Sequence, residues 1–318
     1  MIRAVLAATL TLAACGRSQG VEDRDLGGLV VAPKTEDKPI DLGRAAKEPA
    51  ELGRALKRAH HAWGLPPHTL SISTATKVEE GGKVVDDLTD HTTIELGAKD
   101  TFHALYTSSA DYGREVTFLG GQLYLKPRYQ RWHQRAPESP DEPQQIEDDM
   151  AGAVFATWDL LAPGVELTDQ GPAQVGGRAA RKIAVKLSPS PKQPPAEPLT
   201  QRKWREKRSI EAVSGEVVLD TETGVPLHVA LTGTIGFSRD NRRFTMNVNV
   251  QSDVSGIGTA VTIQQPSADD VVATPERLRE VDDRDYLLQG IAPPLRKNPD
   301  GTAVTPAPVP AGSGSNSR

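Results

Sequence analysis

Between residues 225 and 263 the chain alternates greasy and wet side chains almost one for one. In VPLHVALTGTIGF, Leu227, Val229, Leu231, Ile235 and Phe237 alternate with His228, Ala230, Thr232 and Thr234. In FTMNVNVQ, Phe244, Met246, Val248 and Val250 alternate with Thr245, Asn247, Asn249 and Gln251, and in IGTAVTI, Ile257, Val261 and Ile263 continue the pattern. A period of two places each set on one face of a strand. The stretch therefore predicts three consecutive strands, the first two joined by SRDNRR, forming an antiparallel meander with one wet and one greasy face. Such a sheet needs a cover for its greasy side.

Two amphipathic segments are available as that cover. In PAELGRALKRAHHAWG, Pro49 suits a first helical turn and Gly64 a stop, with Leu52, Ala55, Leu56, Ala59 and Trp63 on one face. In QQIEDDMAGAVFATWDLLAPG, the stripe Ile146, Met150, Ala153, Val154, Trp158 and Leu161 predicts a second helix ended by Pro163-Gly164. Further strands are expected in HTLSISTATKV and TTIEL, with Gly81-Gly82 between them, and in TFHALYTS, REVTFLGGQLYLK, YQRWHQR and GGRAARKIAVKL. On the last of these, Ile183, Val185 and Leu187 share the greasy face. SPSPKQPPAEP is expected as a proline-stiffened surface loop. TPERLREVDDRDYLLQG predicts a final helix over 275–289, and the Pro/Gly/Ser-rich tail 291–318 has no apolar periodicity. The core is built mainly from Val, Leu, Ile and Ala, because only 4% of the chain is aromatic.

The single cysteine, Cys15, excludes an intramolecular disulfide and a cysteine-based zinc cluster. It stands behind a short apolar run, Ala4 to Leu12, preceded by Arg3 and followed by Ala13-Ala14. Residues 1–14 read as a signal peptide, too short to span a bilayer as an anchor. Leu12-Ala13-Ala14-Cys15 resembles the bacterial lipobox. That resemblance implies cleavage before Cys15, a diacylglycerol on its sulfur and a fatty acyl group such as palmitate on the new amino group. At about 0.8 kcal/mol per buried methylene, two chains anchor firmly where one is marginal. Gly16, where many inner-membrane lipoproteins carry aspartate, points by the same resemblance to the outer membrane, facing the periplasm. Residues 15–45 read as a lipidated flexible tether, and 46–290 as a single domain.

The order of helix, antiparallel strands, helix and further strands behind a lipobox resembles the LolA/LolB-like lipoprotein carriers and their relatives among mycobacterial lipid-carrying lipoproteins. VTFLGGQLYLKPRYQRWHQ is similar to that family's strand, glycine turn and aromatic strand, and SGEVVLDTETGVPLHVALTG to its strand, Asp-x-x-Thr-Gly turn and strand. The resemblance spans about residues 46–266. It implies an α+β fold in which a strongly curved antiparallel sheet, an incomplete β-barrel, wraps around or is covered by two to three helices. It also implies an apolar or lipidated ligand in the half-barrel. The expected cavity wall is Leu227, Val229, Leu231, Phe244, Met246 and Val248, faced by Leu56 and Trp158. The alternative is an envelope scaffold with the same fold, a packed core and envelope-protein partners.

Neither reading involves catalysis. The seven histidines form no i, i+4 pair or HExxH run and are expected to be solvated. No G-x-S-x-G elbow, phosphate loop or dinucleotide fingerprint is present, so no enzyme activity, metal or cofactor is expected. DTETG lacks the full spacing of a calcium loop and reads as a hairpin turn. A net charge of −5 argues against nucleic acid as a partner. One basic stretch, RKWREKR, offers Arg202, Lys203, Trp204, Arg205, Lys207 and Arg208 as contacts for anionic lipid headgroups.

Overall fold

The computed structural model describes residues 38–273. The signal peptide, Cys15, the helix expected at 275–289 and the tail 291–318 lie outside the described residues. The fold is α+β and contains an unclosed 12-stranded sheet. Its first six strands are β1 (His68–Glu80), β2 (Lys83–Leu96), β3 (Phe102–Ser108), β4 (Gly113–Leu119), β5 (Gln122–Pro127) and β6 (Trp132–Arg135). The others are β7 (Val165–Val175), β8 (Arg178–Leu187), β9 (Ser209–Asp220), β10 (Pro226–Arg239), β11 (Arg242–Ser255) and β12 (Val271–Ala273). The helices are α1 (Leu42–Ala45), α2 (Pro49–Lys57), α3 (Glu142–Ala151) and α4 (Ala153–Leu161).

The strand order is β12-β6-β5-β4-β3-β2-β1-β11-β10-β9-β8-β7. Two antiparallel meanders, β1–β6 and β7–β11, are joined where β1 pairs with β11, with Leu70 opposite Val254 and Thr76 opposite Val248. The β1–β2 turn uses Gly81 and Gly82 at φ 56 and 82. The β10–β11 turn uses Asp240 and Asn241 at φ 52 and 60, the left-handed pair that suits a two-residue hairpin.

The greasy faces converge on the helices. Leu227, Val229, Leu231 and Ile235 of β10, Val248 and Val250 of β11, and Leu70 and Ile72 of β1 are buried in one cluster with Leu52, Leu56, Trp158 and Leu161. Helix α4 packs against β10, β11 and β1, while α3 packs against β2 and β3. Gly233 sits directly beneath α4, and a Cβ there would overlap Leu161. The absent side chain lets the helix settle onto the sheet.

Several expectations need correction. IGTAVTI is not a strand. After Ser255 the chain turns out of the ladder through Gly256 and Gly258, at φ 62 and 78, and the Gly258 N–H donates to Pro67 O. Strand β11 pairs instead with β1, so the third member of the meander comes from the far end of the domain. The first long helix stops at Lys57, because Arg58 is extended at ψ 129. The Arg58 carbonyl accepts the Trp63 indole N–H, and its guanidinium donates to Thr223 O. The second long helix is two, α3 and α4, meeting at Gly152. The tether expected through residue 45 ends earlier: α1 is capped by the Asp41 carboxylate, and Ala45 is buried. Leu187, expected with Ile183 and Val185 on the greasy face, is exposed at the end of β8.

Candidate functional site

The residues expected to wall a cavity fall into two groups. Leu227, Val229, Leu231, Met246 and Val248 are buried, as are Leu56 and Trp158. At the level of α4 the concave face is therefore packed against Val154 and Leu161. Phe244 lies farther along and is half-buried.

Burial fades along the strands toward that end. On β1, Leu70 and Ile72 are buried, whereas Thr74, Thr76 and Val78 on the same face are half-buried. Leu88 of β2 and Phe237 of β10 are also half-buried. One side of this open end is apolar. Phe237 stacks on Phe244 with ring centroids 5.3 Å apart, and Trp204 packs on Phe237 at 4.5 Å. The other side is polar, with Thr74, Asp90 and Tyr106 on the concave face.

The basic stretch folds as a short 3-10 helix, Thr200–Lys207. It separates into anchoring and exposed groups. Arg205 is buried and pairs with Asp159 at 2.5 Å and Glu197 at 3.3 Å. Arg208 is buried and donates to the carbonyls of Leu160, Asp159 and Arg205 at 2.6–2.9 Å. It thereby satisfies the carbonyls that the end of α4 leaves open. Both side chains are consumed by the fold and are not available as headgroup contacts. Arg202, Lys203 and Lys207 remain exposed.

The expectation of solvated histidines fails for two of them. His60 and His68 are buried and form a chain with Glu147. Glu147 Oε1 lies 2.5 Å from His60 Nδ1, His60 Nε2 lies 3.0 Å from His68 Nε2, and His68 Nδ1 lies 2.9 Å from Pro66 O. A carbonyl only accepts, so His68 Nδ1 carries the proton. Burial pushes His68 down to about 4, so it is neutral near pH 7 and its Nε2 accepts. His60 Nε2 must then donate, while His60 Nδ1 and Glu147 Oε1 approach closely without the geometry of a hydrogen bond. This chain ends on a carbonyl, not on a nucleophile. It fastens α3 to β1 through the His60–Ala62 turn, with Trp63 edge-on to His60 at 4.6 Å. Nothing in the sequence marks it, because Glu147 lies far along the chain from the two histidines.

Two further polar clusters have structural roles. In DTETG, Asp220 is buried, accepts two hydrogen bonds from Arg178 at 2.7 and 2.9 Å, and accepts the Thr223 N–H at 2.8 Å. Its carboxylate closes the turn. Outside the barrel, His103 bridges Glu115 at 3.0 Å and Glu95 at 3.3 Å. The hydrogen bond that His103 donates to Glu115 raises its pKa against the opposing cost of burial. A separate cleft of about 480 Å³ runs between α2, α4 and the proline loop, past Gly53, Lys57, Phe155, Trp158, Lys192 and Pro195. The loop is held there by the Lys192 N–H donating to Pro163 O. Among the described residues, no helix is long and apolar enough to cross a membrane.

No protein-family model matches the sequence, and no curated protein matches it either. Among solved structures, the chain is similar to LprF from Mycobacterium bovis, at 15% identity and a TM-score of 0.27, covering 70% of this chain and 100% of that one. It is similar to a putative outer membrane lipoprotein-sorting protein domain from Vibrio parahaemolyticus, at 9% identity and a TM-score of 0.20, covering 68% of this chain and 93% of that one. A LolA superfamily protein, NE2245 from Nitrosomonas europaea, is similar at 6% identity and a TM-score of 0.19, covering 68% of this chain and 96% of that one.

Proposed function

We propose that this protein is a lipid-anchored protein of the bacterial cell envelope, held at the outer membrane by acyl chains on Cys15. Facing the periplasm, it binds an apolar or lipidated ligand at the open end of its half-barrel. The observation that carries this reading is the fading of burial along a continuous concave face. Leu70 and Ile72 are covered, while Val78, Leu88, Phe237 and Phe244 are only half-covered. An acyl chain laid there would remove apolar surface from water at roughly 25 cal/mol per Å². The polar residues opposite would meet whatever head the chain carries. The exposed Arg202, Lys203 and Lys207, beside Trp204, would face anionic headgroups as the protein loads or delivers.

Native mass spectrometry of the protein purified from a bacterial host tests this. A co-purifying lipid mass, and an uptake of apolar fluorophore reduced several-fold by Phe244→Asp, are expected. A ligand-free protein that takes up no fluorophore would sink the reading. Cys15→Ala should move the protein from the membrane to the aqueous fraction.

The packing beneath α4 favours a second reading, an envelope scaffold that holds no ligand. Pull-down of envelope proteins that depends on residues 292–318, with no lipid bound, would select it.

A further inference from the structure

Among the described residues, the concave face carries a buried cation that the fold leaves unanswered. Arg114 of β4 lies opposite Tyr106 of β3, which lies opposite Thr92 of β2, which lies opposite Ile72 of β1. Cross-strand neighbours share a face, so this row places Arg114 on the side of the sheet that holds Ile72. Arg114 is only 7% exposed. By contrast, Arg135, itself largely buried, pairs with Glu142 at 2.5 Å. Asp90, on the next row toward the open end, accepts from the Thr74 hydroxyl at 3.4 Å. Among the described residues no carboxylate pairs with Arg114, and its guanidinium donates no hydrogen bond.

A guanidinium cannot shed its proton in a protein, so burial without a counter-ion is a standing cost. An anion recovers that cost on binding, and the planar fork suits a carboxylate or phosphate with two parallel bonds. The apolar wall of Phe237 and Phe244 belongs to the same concave face.

We propose that Arg114 is the headgroup anchor of the half-barrel, and that the ligand is an anionic amphiphile whose acidic head pairs with Arg114 while its chain runs toward Phe244. Thr92 and Tyr106 flank the anion from the neighbouring strands. The inference rests on the half-barrel being a ligand site and adds the charge of what it takes.

The test uses the full-length chain carrying Cys15→Ser, so that no acyl chain of its own competes, with cis-parinaric acid and the matching alcohol as probes. The carboxylate should bind at least about tenfold tighter than the alcohol. Arg114→Leu should bring that ratio to about one while leaving the thermal midpoint unchanged or higher, because it removes a buried unpaired charge. Arg114→Lys should keep part of the preference. Equal binding of both probes by the unmodified site overturns the anion inference and leaves the half-barrel reading standing. A preference that survives Arg114→Leu, with a lowered thermal midpoint, makes Arg114 a structural residue and also overturns it. Binding of neither probe overturns both.

Discussion

Single residues set how this fold responds to pH, and two histidines act in opposite senses. His68 is pushed down to about 4 from 6.5 by burial. The unfolded chain therefore binds more protons between those values, and stability rises with pH across that window, by up to about 3 kcal/mol. His103 is raised above 6.5, chiefly by its hydrogen bond with Glu115. Its contribution is present below pH 6.5 and is lost as pH rises through its folded pKa. Urea unfolding measured from pH 4 to 8 should show a maximum between the two limbs. His68→Gln should flatten the acid limb and His103→Gln the alkaline one. An acid limb unchanged in His68→Gln would remove the buried chain as its cause. None of this was legible in the sequence. A histidine's letter says nothing about whether Glu147, some 80 residues away, will meet it, and Arg114 reads like any arginine on a strand until the register places it inward.

At the scale of elements, the period-two strands were the most legible part. β1 to β6, β8, β10 and β11 lie where alternation and the glycine pairs put them. The failures share a cause, which is that local pattern competes with tertiary pairing. Strand β7 has no clean alternation in its sequence, because Gly171 and Pro172 break the pattern. It tolerates them because it is an edge strand with a register shift between Asp169 and Gly171. IGTAVTI had the alternation but no free strand to pair with, since β1 already occupied that side of β11. RKWREKR read as surface charge, yet Arg208 is the C-terminal fastening of α4. Arg208→Lys keeps the charge but cannot reach three carbonyls from one fork. A loss of roughly 2–3 kcal/mol in urea unfolding is expected, and a loss below 0.5 kcal/mol on the order of a surface substitution would refute that role.

Across the whole molecule, the β1–β11 seam joins the two meanders, and α4 lies across it, touching β1, β10 and β11. That helix covers the seam and so ties the two meanders into one core, and the two should unfold together. Trp132 opens β6 in the first meander, and Trp204 packs on Phe237 of β10 in the second. Single-tryptophan variants reporting from each should give coincident denaturant midpoints, whereas separated midpoints would show independent halves.

The two margins of the sheet are guarded in different ways. One is covered by β12, three residues long and parallel to β6. The other, β7, carries Pro172, which offers no N–H, and a kink beside Asp169. Short, proline-bearing or kinked margins resist pairing with a neighbour. Copies of this protein crowded side by side would therefore not stitch their sheets into a continuous ribbon, and a half-open barrel can be kept at high local density without polymerising.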